Sequence, residues 1–114
     1  MIEAELRRHP RLVLAITRLT RRLNGPIEQI KADAHLVDGS RLHINEVYVS
    51  DQLRKYTYYR LSPTDEVIQG WDNAPHHPEI TSYPHHLHLE NDVYPSQVRS
   101  LADVLAQLEA ELQD

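Results

Sequence analysis

No cysteine occurs anywhere in the 114 residues. That excludes a disulfide framework and any thiolate metal site, and it fits a reducing compartment. Glycine is nearly as scarce, at three residues, so the sequence holds no glycine-rich phosphate loop, no GxSxG elbow and no dinucleotide fingerprint. Long apolar runs are missing too. The N-terminal stretch MIEAELRRHPRLVL scatters charges throughout, so neither a secretory signal nor a membrane span is expected, and the expected location is cytoplasmic. Positive charge is depleted from the second half. Residues 61–114 carry Arg99 against ten acids, a net of −9, while residues 1–60 carry eleven Lys and Arg against seven acids, a net of +4; together they make the chain's −5. A basic half offers a face to phosphates, unless the two halves fold together and neutralise each other.

What remains is ordinary globular material. At 25% charged and 40% hydrophobic residues, the chain has the composition of a folded domain, and its length predicts a single one over 1–114. Leu6, Val13, Ile16, Thr20 and Leu23 fall near one stripe at helical spacing, with Leu12 and Leu19 beside it and six arginines around the remainder. This predicts helix within 2–23. Pro10 disfavours helix at His9, which puts the main helix from about residue 10 after a short turn. Asn24-Gly25-Pro26 then stops it.

Strands are predicted over 27–37 and 41–49, joined at the hairpin signal Asp38-Gly39, then over 54–61, 67–71 and about 85–90. Ser100 caps a final helix whose Leu101, Val104, Leu105, Leu108 and Leu112 share a face. The expected class is α+β: an antiparallel sheet of four to five strands with the N- and C-terminal helices packed on one face.

The chemistry concentrates in WDNAPHHPEITSYPHHLH, residues 71–88, which hold five of the eight histidines and three of the seven prolines. Any one of these histidines is more simply read as a turn or sheet-surface residue. The cluster is harder to dismiss. His86 and His88, two apart on a strand, point to one side, while His85 points to the other with Leu87. His35 and His43 fall on open faces by the same alternation. Tyr56, Tyr58, Arg60 or their neighbours add aromatic and basic groups, and Arg18, Arg21 and Arg22 supply further positive charge. An open sheet face carrying histidine, tyrosine and arginine suits RNA binding and cleavage.

RNA cleavage needs neither a metal nor a protein nucleophile, because the 2′-hydroxyl attacks. The protein supplies a base, an acid and positive charge. Imidazole, with a pKa near ~6.5, can serve as either base or acid. The candidate catalytic groups are His76, His77, His86, His88, Asp72 and Glu46, with His85 and Asn73 structural. Histidines two apart on a strand, with Asp72 or Glu46 nearby, could also bind zinc, nickel or manganese. No spacing matches a zinc signature such as HExxH, so neither a metal nor any other cofactor is expected.

The order LVDGSRLHINE, KYTYYRL, WDNAPHHPEI, SYPHHLH resembles the TumE toxin family of bacterial type II toxin–antitoxin systems, over most of the chain. The paired elements DNAPHHPE and PHHxH are its distinctive part. The resemblance singles out Glu46, Tyr56, Asp72, Asn73, His76, His77, His85, His86 and His88. Two positions depart from it: Gly70 stands where a basic residue often precedes the aromatic-Asp-Asn, and Leu87 where a lysine often stands in the final motif. The resemblance implies a small cytoplasmic toxin, commonly a ribonuclease in such pairs, neutralised by a helix-turn-helix antitoxin. Two further readings stand beside it: a non-catalytic module that binds nucleic acid or protein through a histidine-rich loop, and a metal-dependent hydrolase. A homodimer is left open.

Overall fold

Tight turns dictate a meander. Gly25 and Gly39 take positive φ angles of 60° and 89°, and Ser50 and Asp51 take 49° and 67°. Two consecutive left-handed residues make the kind of two-residue turn whose twist matches that of the flanking strands. At the second turn the Asp38 carboxylate accepts the Ser40 N–H at 3.0 Å. The computed structural model describes residues 2–75, 79–89, 92–98 and 100–112. Within them lie α1 (Ile2–Arg7), β1 (Val13–Asn24), β2 (Ile27–Leu36), β3 (Arg41–Val49), β4 (Gln52–Leu61), β5 (Val67–Asp72), β6 (His86–Leu89), β7 (Asp92–Pro95) and α2 (Leu101–Leu112). The strands form one antiparallel sheet in chain order, β1 to β7.

Two expectations are corrected. The sheet has seven strands rather than four to five, and residues 13–24 form its long edge strand instead of a helix. The helix is confined to α1, before Pro10. The misleading signal has a physical source. The β1–β2 register shifts between Val13 and Ala15 and again between Ile16 and Arg18, so each shift inserts one extra residue into β1. Val13, Ile16 and Leu19 therefore face one side, opposite Leu36, Ala34 and Ala32. Two bulges have stretched a period of two into a spacing of three, which imitates a helical stripe. Beyond Leu19 the plain alternation returns.

Both helices contribute to one core. Ile2 and Leu6 of α1 and Leu101, Val104, Leu105 and Leu108 of α2 join Ile30, Ala32, Leu42, Ile44, Tyr58 and Trp71 in a single buried cluster. The Ser100 hydroxyl accepts the Asp103 N–H at 3.4 Å at the start of α2. Because opposed residues in a ladder point the same way, the register sorts the sheet into rows. Ala32, Ile44, Tyr58, Trp71 and Leu87 are successive partners and lie on the covered face. Lys31, Asn45, Thr57, Asp72 and His86 form the neighbouring row and lie on the open face.

The two readings of residues 13–24 differ in a measurable way. Leu6 is 0% exposed and Leu19 is 44% exposed. Leu6→Ala should cost about 2–5 kcal/mol in chemical denaturation, and Leu19→Ala under about 1 kcal/mol. Equal losses would mean that Leu19 sits in a core and that β1 is misassigned.

Candidate functional site on the open sheet face

The chemistry of the open face centres on a buried carboxylate. Asp72 ends β5, directly opposite His86 on β6, and His88 lies two residues further along the same side. His86 Nε2 is 2.6 Å from Asp72 Oδ1, and His88 Nε2 is 3.0 Å from Asp72 Oδ2. The Ala74 N–H donates to Oδ1 at 3.0 Å. The imidazole rings meet edge to face with centroids 4.7 Å apart. They are not equivalent: the His86 side chain is 3% exposed and its Nδ1 lies 2.9 Å from the Pro84 carbonyl oxygen, whereas the His88 side chain is 31% exposed. His88 is thus the more accessible member of the pair.

Tyr59 and Gly70 complete this arrangement; Tyr59 was not singled out from sequence, and Gly70 stood out only as a departure from the family pattern. The pKa of Tyr59 is raised, first by burial and then by the nearby Asp72 charge and hydrogen bonding with it. The Tyr59 ring also meets His88 edge-on at 6.5 Å. The ring has room because Gly70, between them in the ladder, has no side chain. A Cβ there would stand 2.6 Å from two Tyr59 ring carbons. Gly70, where the family resemblance led us to expect a basic residue, gives Tyr59 its path across β5. Leu87, the other departure, packs against the core on the covered face, so it takes no charge from the open one.

At the far end of the same face lie Arg18, Thr20 and Arg22 of β1 and Gln29 and Lys31 of β2, lining a groove of about 380 Å³. Between the two ends, the buried Asp33 carboxylate takes Arg41 at 2.8 Å and His43 at 2.9 Å. His35 is exposed opposite Arg41.

Several residues expected at the site lie elsewhere. Glu46, Tyr56, Tyr58 and Arg60 are on the covered face, because their positions alternate in phase with Leu42 and Ile44. Glu46 is buried and accepts the Tyr48 hydroxyl at 2.9 Å and the Tyr58 hydroxyl at 2.5 Å. Burial and the Glu46 charge push both tyrosines' pKa values up. Tyr56 donates its hydroxyl to the Val98 carbonyl at 3.0 Å, and its oxygen lies 2.8 Å from His85 Nδ1. Neither Tyr56 nor Tyr58 is available to stack on a base. Arg60 pairs with Asp38 at 2.6 Å. Arg21 faces the covered side and pairs with Glu28, leaving Arg18 and Arg22 on the open face. His85 stacks on Tyr56 with centroids 5.7 Å apart. Asn73 accepts the Tyr56 N–H at 2.9 Å and donates to the Arg54 carbonyl at 3.0 Å, which prolongs the β4–β5 edge. His76 and His77 lie outside the described residues.

The Gly70–Tyr59 dependence predicts a specific coupling. Gly70→Ala should destabilise the protein by about 1–3 kcal/mol, and in a Tyr59→Ala background the same substitution should cost almost nothing. A double-mutant cycle by denaturant unfolding measures this coupling. Additive losses would mean that the close approach of ring and glycine does not matter.

No helix among the described residues is long and apolar enough to cross a membrane. No curated protein and no solved structure matches the chain. One family model does, described as toxin TumE, over residues 3–114. The chain therefore belongs to the TumE toxin family, the toxin half of a toxin–antitoxin pair.

Proposed function

We propose that this toxin cleaves RNA on the open face of its sheet. The carrying observation is that the basic groove and the Asp72–His86–His88 centre share that face and are joined by one continuous row: Thr20, Lys31, Asn45, Thr57, Asp72 and His86 are ladder partners in turn. At about 4.8 Å per strand, Lys31 and Asp72 are roughly 14 Å apart across the sheet. A single-stranded RNA lying across the strands would run its phosphates past Arg18, Arg22 and Lys31 and bring one phosphodiester to His88. Single strands are the form of RNA that flat sheet faces bind.

The reaction needs little from the protein. The 2′-oxygen attacks phosphorus as its hydroxyl proton passes to a base at the centre. The bond from phosphorus to the 5′-oxygen breaks, and that oxygen takes up a proton as it leaves. Positive charge must stabilise the phosphoryl oxygens meanwhile. Asp72, His86 and His88 group two imidazoles on one carboxylate at the far end of this face from the basic groove, and the Ala74 N–H holds that carboxylate in place. On the same reading, the partner antitoxin carries a helix-turn-helix domain, and a small open reading frame of that type beside this gene would support it.

Induction in cells, set beside RNA binding in vitro, tests the proposal. His88→Ala should lower RNA cleavage at least about a hundredfold and relieve growth arrest, with a normal thermal melt. Reversing Arg18, Arg22 and Lys31 to Glu should weaken RNA binding and reduce the slope of log affinity against log salt by roughly 2. If His88→Ala remains fully toxic while the reversal abolishes toxicity, the face only binds, and the non-catalytic reading replaces this one.

A further inference from the structure

Three donor atoms come together between β5 and β6. One ligand atom each from Asp72, His86 and His88 lies within 4.8 Å of the other two. They come from two paired strands, a rigid platform that fixes their directions. Around a first-row metal ion, donors about 2.0–2.2 Å from the centre stand roughly 3 Å apart. The Asp72–His86 and Asp72–His88 separations of 2.6 and 3.0 Å are already near that spacing.

The hydrogen bonds around the donors have the character of a metal site's outer shell. A ligating histidine usually donates its other ring N–H to a carbonyl or carboxylate, and a ligating carboxylate is itself held by donors. His86 Nδ1 lies 2.9 Å from the Pro84 carbonyl oxygen, which can only accept, so that nitrogen carries the hydrogen. In the neutral ring the lone pair is then on Nε2, aimed at the lone pairs of Asp72 Oδ1 2.6 Å away. Two acceptors at that distance require positive charge between them. His88 Nε2 faces the other carboxylate oxygen 3.0 Å away. A proton between His86 and Asp72 would meet the demand, and so would a single divalent ion held by all three side chains. The Ala74 N–H donates to Asp72 Oδ1 at 3.0 Å and orients the carboxylate, with Tyr59 close enough for its hydroxyl to be shifted by the Asp72 charge.

We infer that Asp72, His86 and His88 bind one divalent first-row transition-metal ion, of the zinc or manganese class. Two imidazoles and one carboxylate suit that class better than magnesium or calcium, which prefer all-oxygen shells. With the ion bound, His86 and His88 would give up the acid–base roles that sequence spacing and the proposed reaction assign to them, because ligating nitrogens do not carry protons. The donor set was not legible as a motif, since it is assembled across a ladder instead of along a segment. Only the use of the ion in RNA cleavage, where it would supply charge at the phosphoryl group, rests on the function proposed above; ion binding does not.

Isothermal titration of the tag-free, chelator-stripped full chain with zinc chloride and with manganese chloride, in the absence of RNA, is the test. One equivalent of at least one ion should bind. His88→Ala should bind at least tenfold more weakly, and Tyr59→Phe, which removes only an outer-shell hydroxyl, about 10- to 100-fold more weakly. Because His88 is partly exposed, its variant keeps the test valid even if Asp72→Asn fails to fold. The inference is overturned if neither ion binds, or if His88→Ala with a native melt binds as tightly as the unsubstituted chain, which would assign the ion to other histidines. A protein that binds the ion but does not cleave RNA would leave this inference standing and remove only the proposed function.

Discussion

A carboxylate buried in a sheet is the constraint around which this molecule is arranged. Asp72 is almost fully shielded from water. An ionised group so placed costs several kcal/mol unless charge and hydrogen bonds surround it. Its neighbours answer that demand one by one. Two imidazoles approach its two oxygens, the Ala74 N–H closes the chain back on it, and Tyr59 reaches it across β5 over a position kept empty by Gly70. The Pro84 carbonyl in turn fixes His86. The Asp72-Asn73 and Pro84-His85-His86 elements thus meet at one point. The Asp-Asn pair ends β5, with Asn73 extending the β4–β5 edge, and the Pro-His-His element leads into β6.

The covered face solves the same problem without a functional outlet. Glu46 is as deeply buried as Asp72, but its partners are two tyrosine hydroxyls, Tyr48 and Tyr58. Its network ties β3 to β4 and specifies how the core packs. Pleat alternation keeps the two carboxylates apart: Glu46 and Ile44 are in phase on β3, while Asp72 is out of phase with Trp71 on β5. The sheet therefore has one side organised by packing and one organised by charge. The basic groove at β1–β2 belongs to the second.

Much of this was legible in the sequence, and the failures have identifiable causes. The strand 41–49, the Asp38-Gly39 turn and the Ser100-capped helix follow from local signals that no tertiary contact overrides. His86 and His88 sharing a side follows from a period of two. By contrast, two bulges in β1 shifted the phase of its apolar residues and made a strand look like a helix. Alternation says that Tyr58 and Tyr59 face opposite ways, but it does not say which way the helices lie; that choice put Tyr56, Tyr58 and Arg60 on the open face instead of the covered one. The pairing of Asp72 with His86 depends on the β5–β6 register, which a loop of thirteen residues between the strands does not encode locally. Gly70 looked like a lost charge and is instead the space that admits Tyr59.

The central claim is that the open face, from the basic groove to Asp72, is the RNA-working surface. Nuclear magnetic resonance of the isotopically labelled protein, titrated with a single-stranded RNA made uncleavable by 2′-O-methylation, tests it most directly. The account predicts chemical-shift changes along Thr20, Lys31, Asn45, Thr57 and His88, with Ala32, Ile44, Tyr58 and Leu87 on the opposite face unmoved. Shifts confined to α1, α2 and the covered face, or none at RNA concentrations that saturate the protein in a binding assay, would contradict it.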